Sequence, residues 1–460
     1  MRRDTVLLML LAVLVGCATG IGQRDGDPHP VLAIVGASVL PMTDPHTVLE
    51  DHTIIVSQQR IVWVGPSDRA RIPRGAEIVD GRGRFVVPGL IDMHAHLEYV
   101  EDADVLKLFV AHGVTSVRSM DGRAYILSWR ARVRSGELLG PDIITAGPII
   151  DGAPPLRDDN LSVADAAAAR EAVMRQHGEG YDFIKLYTNL SPQSFDAAAT
   201  EARERGLLVT GHIPRGLDLT AVIPHYWTLE HLSELDGEVL DSSVRRPFWA
   251  RLLLAGSLDD ERTARAADAI SRAGVVLVPT LVERERSIGT GEQVSAWSSE
   301  PAMRDLPPDM LERWRSYASR IGARLDDEDW ALVEEGRRNR LQLVRALHDR
   351  GVRLAVGTDT PNAWVAPGAA VHQEMAILVD AGLTPGEALR AATATPGAAL
   401  SSWERRGVIV EGARADLLLL EANPMADIGA AQARAGVVLA GRWFDEASLA
   451  AMRQDLVRAQ

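Results

Sequence analysis

Two histidines two residues apart, His94 and His96, close the apolar stretch that starts at Val86 and runs through Pro88-Gly89. In a strand, residues i and i+2 face the same side, so both imidazoles can point at one spot. Neutral imidazole is the commonest metal ligand near neutral pH. Two of them on a rigid strand can hold a cation without reordering the chain. Taken alone, the pair is equally well explained as strand-end surface histidines. Its meaning depends on partners elsewhere, and Lys185, His212, His231 and Asp359 are the residues of suitable type whose settings repeat that of the pair.

That setting is the end of a strand. After His96 the pattern alternates strand-like and helical stretches. The strands predicted are 113–118, 142–146, 181–186, 206–212, 226–231, 274–278 and 352–356, with helical segments such as 162–176 and 192–204 between them. With the opening strand this makes eight, the repeat of a (β/α)8 TIM barrel, whose active sites lie at the C-terminal ends of the strands. His94, His96, Lys185, His212, His231 and Asp359 all fall at such ends. That coincidence turns the pair into a predicted metal site. The flanks, 31–86 and 403–444, read as short strands separated by Pro, Gly, Asp and Ser, and as two parts of one small β domain. The predicted organisation is a β-sandwich formed from residues 31–88 and 403–460, the latter ending in a helix, around a barrel over 89–402.

Composition excludes some functions. The chain of 460 residues is 46% hydrophobic and carries a net charge of −14, without a basic cluster, which argues against nucleic-acid binding. Cys17 is the only cysteine, so no disulfide can form within the chain. It follows Arg2-Arg3 and an apolar run from Thr5 to Val15, a segment too short to span a bilayer. Leu14-Val15-Gly16-Cys17 resembles the lipobox of bacterial lipoproteins. The resemblance implies cleavage before Cys17, acylation of its sulfur and a periplasmic protein anchored to the outer membrane, with residues 18–30 as a tether. An ordinary cleaved export signal is the alternative.

Taken together, Val-Pro-Gly-Leu-Ile-Asp-Met-His-Ala-His (87–96), Phe-Ile-Lys-Leu-Tyr (183–187), Val-Thr-Gly-His (209–212), Leu-Glu-His (229–231), Val-Gly-Thr-Asp (356–359) and Gly-Ala-Arg-Ala-Asp-Leu-Leu-Leu-Leu (412–420) resemble the amidohydrolase superfamily. Within it the chain is most similar to the imidazolonepropionase-like and Xaa-Pro dipeptidase-like branch. The resemblance implies two divalent metal ions, zinc by default with manganese, cobalt or iron as alternatives. His94, His96 and Asp359 would bind the first, and His212 and His231 the second. Lys185, carboxylated to a carbamate, would bridge both; a lysine paired to a carboxylate is the other reading. The implied chemistry is hydrolysis of an amide bond in a small substrate, a dipeptide or N-acyl amino acid, by a metal-bridging hydroxide, with Asp359 as general base.

The mononuclear deaminases of the superfamily carry a Glu three residues after the strand-five histidine. Arg215 stands there, which ranks deamination below hydrolysis. A cyclic-amide hydrolase and a non-catalytic binding lipoprotein are further alternatives. Tyr187 and Arg215 are candidate contacts for a substrate carboxylate, against a packing and a solvated role respectively. Arg118 is expected in an ion pair inside the barrel, and His372 in a structural role. The aromatics Trp297, Trp314, Tyr317 and Trp330 lie in a long excursion after strand seven (283–341), expected to act as a lid or to pack helices.

Overall fold

The computed structural model describes residues 31–100, 102–241, 248–322 and 324–458. The export signal, Cys17 and the tether lie outside the described residues. The first strands are β1 (Leu32–Val39), β2 (Leu49–Ser57), β3 (Arg60–Pro66), β4 (Glu77–Asp80) and β5 (Phe85–Pro88). Next come β6 (Leu90–Ala95), β7 (Val114–Ser119), β8 (Asp142–Thr145), β9 (Ile150–Gly152), β10 (Leu161–Val163), β11 (Phe183–Leu186), β12 (Leu208–Gly211), β13 (Thr228–Glu230), β14 (Val276–Val278) and β15 (Arg353–Leu354). The chain ends with β16 (Leu417–Leu420), β17 (Arg434–Leu439), β18 (Arg442–Asp445) and a helix over Glu446–Arg458.

Both ends of the chain meet in one hydrogen-bonded sheet of order β18-β17-β16-β5-β1-β2-β3, with β4 paired to β1. The apolar positions of these strands explain the pairing. Leu32, Ile34, Ile54, Val56, Val86, Leu417, Leu419 and Val438 form a single buried cluster. β5 runs into β6 through Gly89, where a Cβ would lie 2.2 Å from Thr115 Oγ1. No residue with a side chain fits that junction without displacing β7.

The strands from β6 to β15 are parallel to their neighbours, in sheets of order β6-β7-β8 and β10-β9-β11-β12-β13-β14-β15. Parallel strands require crossovers, and the predicted helices supply them. Asp165 caps the helix Ala166–Glu179 by accepting from Ala168 N, and Gly180 ends it in the left-handed region at φ 86°. Ser191 and Pro192 start the helix Pro192–Glu204. Bridges Ala146–Phe183 and Ala95–Thr360 link the two sheets, and Met93 N donates to Val356 O at 2.9 Å.

Alternation then sorts the side chains. On β11, Ile184 and Leu186 belong to the large cluster that includes Phe195 and Ala198 of the following helix. Phe183 belongs to a smaller cluster with Ile144, Val276 and Val278. Lys185 lies on the Phe183 side, facing inward. Each buried Val, Leu or Ile contributes roughly 1.5–3 kcal/mol, which holds the strands rigid enough to carry polar residues at their ends. Among the described residues, no helix is long and apolar enough to cross a membrane.

The excursion after β14 is helical: Leu281–Arg286, Gly291–Ser298, Pro308–Gly322 and Asp327–Asp349. Trp314 and Trp297 pack toward the fully buried Trp364, with ring centroids 5.8 and 6.5 Å away. These two indoles serve helix packing. Trp330 lines a separate groove of about 670 Å³ with Gly289, Ser295 and Ser319.

Candidate metal centre

The strand ends bring the predicted residues together. One ligand atom each of His94, His96 and Asp359 lies within 4.8 Å of the others, and all three residues are buried. His96 Nε2 is 3.1 Å and His94 Nε2 3.6 Å from Asp359 Oδ1. The His231 ring is 4.5 Å from that of His94 and 4.8 Å from that of His212. Lys185 is buried, and its Nζ lies 5.7 Å from the ring of Tyr187, which in turn is 4.1 Å from the His212 ring.

Local backbone geometry is tuned to this convergence. Asp359, His231 and Thr280 have φ of 61°, 62° and 49°. Each costs about 1–3 kcal/mol of strain for a residue with a side chain. The cost is offset by fixed hydrogen bonds: Asp359 N donates to His94 O at 2.7 Å and His231 N to Val278 O at 2.8 Å. Beside His212, Gly211 has φ 143°, and a Cβ there would lie 1.9 Å from Leu186 O. Only glycine lets β12 approach β11 this closely.

Every histidine is held through Nδ1. His94 Nδ1 meets Glu230 Oε2 at 2.7 Å, His212 Nδ1 meets Glu234 Oε1 at 3.1 Å, His231 Nδ1 meets Thr280 Oγ1 at 2.8 Å, and His96 Nδ1 contacts Glu98. A carboxylate accepts, so His94 donates its Nδ1 proton to Glu230 and its Nε2 carries the lone pair; His212 Nδ1 also lies 3.2 Å from Thr188 Oγ1. His94 Nε2, His212 Nε2 and Asp359 Oδ1 are buried without a hydrogen-bond partner. Such orphans cost about 1–3 kcal/mol each when unmet. Inward-pointing imidazole nitrogens and a carboxylate oxygen are the donor set that a divalent cation of the zinc type takes.

The electrostatics agree. Burial, then Lys185, push His94 down to about 4, so it is neutral at pH 7. His231 is driven well down by burial and by His94. Burial also pushes His96 down, but Glu98 and Asp359 outweigh it and carry the ring up to about 9, a corner that calls for positive charge. Burial raises Asp359, and the imidazoles of His94, His96 and His231 more than reverse it, leaving an ionised carboxylate. Burial lowers Lys185 toward the free amine, against the pull of Asp359 and Glu230.

The other sequence candidates divide. Arg118 is fully buried and donates to Glu230 Oε1 at 2.6 Å, Thr228 Oγ1 at 2.7 Å and Met93 O at 2.6 Å, the internal ion pair expected of it. Tyr187 lies against His212. Arg215 is exposed, its backbone N bonded to Thr188 O at 2.8 Å. His372 sits away from the centre, its Nε2 2.8 Å from His112 O. The carboxylates that orient the histidines, Glu98, Glu230 and Glu234, were not singled out from sequence; Glu230 stands inside the Leu-Glu-His motif, the one available signal.

A family model described as the amidohydrolase family matches residues 85–444. The chain belongs to the amidohydrolase family. It is a hydrolase acting on carbon–nitrogen bonds. An imidazolonepropionase of Streptomyces avermitilis is 26% identical over 397 residues, covering 82% of each chain. Among solved structures, a bottromycin amidohydrolase superposes with a TM-score of 0.74 at 24% identity, over 94% of this chain and 91% of the other. A putative prolidase from Bifidobacterium longum gives 0.68 at 24%, over 93% and 99%. These neighbours have a TIM-barrel-like α/β fold in common with this amidohydrolase.

Proposed function

We propose that this amidohydrolase cleaves the amide bond of dipeptides or N-acyl amino acids at a site holding two divalent metal ions, zinc by default. The observation that carries the reading is the convergence of His94 Nε2, His212 Nε2 and Asp359 Oδ1, buried and without partners, at the ends of inward-facing strands. His94, His96 and Asp359 would hold one ion and His212 and His231 the other, and Lys185, as a carbamate, would supply a further anionic ligand. The depressed basicity of the buried Lys185 amine favours reaction with carbon dioxide. When bound, the metal supplies a Lewis acid for the carbonyl and lowers the pKa of water. Asp359 does the proton work: kept ionised by its imidazole neighbours, it takes a proton from the attacking water and delivers it to the leaving nitrogen. Glu230, Glu98 and Glu234 keep the histidines aimed.

The two parallel sheets are read as one closed barrel over 89–402, supported by the hydrogen bonds that join β8 to β11 and β6 to the segment after β15. The terminal sheet is read as a sandwich folded over its shared apolar cluster. Acylation of Cys17 and a periplasmic, outer-membrane location are inferred from residues 1–17. Palmitate labelling that persists in Cys17→Ser would overturn that part.

The test of function is a screen of metal-reconstituted protein against dipeptides and N-acyl amino acids, reading free amine. Chelator-sensitive release supports the reading. Ammonia release without amide cleavage, at one metal per chain, would replace it with deamination.

A further inference from the structure

Three of the large hydrophobic side chains left exposed among the described residues, Tyr99 at 37%, Tyr125 at 38% and Leu156 at 46%, lie in the segments after β6, β7 and β9, of which β6 leads to His94 and His96. Tyr99 ends the short turn Leu97–Tyr99 directly after His96, and its ring stacks on the His96 ring, 5.3 Å away and tilted by 20°. The guanidinium carbon of Arg157 lies 5.3 Å from the centre of the Tyr99 ring. A metal-site imidazole, an exposed aromatic face and a cation therefore form one continuous stack from the centre outward. The loop that carries Arg157 is fixed beneath it: Asp151 accepts from Leu156 N at 2.6 Å and from Asn160 Nδ2 at 3.1 Å. Tyr125 buttresses the turn, its hydroxyl donating to Glu98 O at 3.1 Å.

A partly exposed aromatic ring held between an imidazole of the site and a guanidinium offers a ligand both a packing surface and a charge. Among the described residues Arg157 has one ion pair, with Asp159 at 3.3 Å, and both side chains are close to half exposed. An exposed pair of that sort is weak and is readily exchanged for another carboxylate. A guanidinium binds a planar carboxylate through two parallel hydrogen bonds, which makes Arg157 selective for that shape.

We propose that Tyr99, Leu156 and Arg157 form the subsite for the amino-acid half of the substrate, an apolar or aromatic side chain packing on Tyr99 and Leu156 and the free carboxylate pairing with Arg157. This rests on the amide-hydrolase reading and narrows its substrate class to amides of bulky apolar amino acids with a free carboxylate. Arg157 takes the place that the sequence offered to Arg215.

The experiment compares acetate release from N-acetyl-L-phenylalanine, its carboxamide and N-acetyl-L-alanine by the metal-loaded full-length protein and its variants. In Arg157→Gln the ratio of kcat/KM for the acid over the carboxamide falls about tenfold, the loss of one charge-assisted contact. In Tyr99→Ala the preference for phenylalanine over alanine falls about fivefold, and Tyr99→Phe retains it. Metal per chain, measured in parallel, stays at the wild-type value; should Tyr99→Ala shed metal, Tyr99→Leu, which keeps an apolar cover on His96, replaces it. Ratios within twofold of wild type at full metal content overturn the subsite. If the wild type releases no acetate from any of the three, the N-acyl amino acid part of the function is wrong, and calorimetric binding of N-acetyl-L-phenylalanine decides the subsite: binding weakened in Arg157→Gln keeps it, and absent or unchanged binding overturns it.

Discussion

Glu230 Oε2 accepts the Nδ1 proton of His94 at 2.7 Å, and both side chains are fully buried. Burial alone would neutralise Glu230, but Arg118 at 2.6 Å outweighs it and keeps the carboxylate ionised. Thr210 and Thr228 donate to the same Oε1 at 2.5 Å. The imidazole is thereby locked in one tautomer with Nε2 free. In Glu230→Gln the lock weakens and Arg118 loses its counter-ion. Metal affinity, read by chelator competition, should fall about 10–100-fold. Thermal unfolding should report a loss of about 3–5 kcal/mol from the uncompensated guanidinium. Unchanged metal affinity would show that His94 is oriented by something else.

Asp359→Asn tests the proton transfer. Asparagine keeps an oxygen in place of Oδ1 and preserves the backbone bond to His94 O, so the fold and the bound metal should be retained. Turnover should fall by about 10²–10⁴, the range of a lost general base. Steady-state kinetics at measured metal content separate the two effects. Near-normal kcat would remove Asp359 from that role.

Lys185→Met keeps an apolar stem of similar length and removes the amine that would carry a carbamate. Metal analysis should then give about one ion per chain in place of two, since the anionic bridge is gone. The substitution should not unfold the protein, because burying an unpaired ammonium is itself costly. Two ions retained by the variant would leave Lys185 without a ligand role.

Acid stability should be governed partly by histidines far from the metal centre. Burial, then the neighbouring Arg434, push His372 down to about 3, and His112 is held well below its usual value by burial and by Arg434. Both are neutral in the fold, whereas in the unfolded chain they protonate near pH 6.5. Below that pH the unfolded state binds more protons, so the stability is complete above pH 6.5 and drains away as pH falls toward 3. Each such histidine costs about 1.4 kcal/mol per pH unit in that window. Urea midpoints between pH 5 and 7 should fall less steeply in His372→Gln. An identical slope in the variant would place the acid sensitivity elsewhere.

The strand ends were legible because strand-to-helix alternation has a strong period and because the polar residue closing each strand is conspicuous after an apolar run. Lys185 after Phe183-Ile184 and Asp359 after Val356-Gly357-Thr358 are of this kind. Their orienting partners were not. Glu98 beside His96, or Glu234 three residues past His231, has the same local pattern as a solvated surface pair; Glu98 meets its own neighbour, while Glu234 meets His212, a pairing that only the approach of separate segments reveals. Arg215 shows the converse. Its position after His212 left a substrate contact and a solvated role both open, and the turn bonded to Thr188 leaves its side chain exposed. In the terminal sheet, the strands could be read from their punctuation, but the parallel pairing of β4 with β1 depends on tertiary contacts that no local pattern carries.

The sheet shared by the two chain ends also dictates when the protein becomes an enzyme. β5, which leads through Gly89 straight to His94, is held on one edge by β1 and on the other by β16, from Phe85–Leu420 to Pro88–Leu417. One rail of the strand that leads to His94 and His96 is thus supplied by a segment far downstream in the chain. Asp359, also late in the chain, takes the backbone bond that positions His94. Long-range pairings of this kind form slowly, because the whole intervening chain must be ordered first. A nascent chain still lacking β16 would hold its histidines apart, and the centre would assemble only after β16 has emerged and paired with β5.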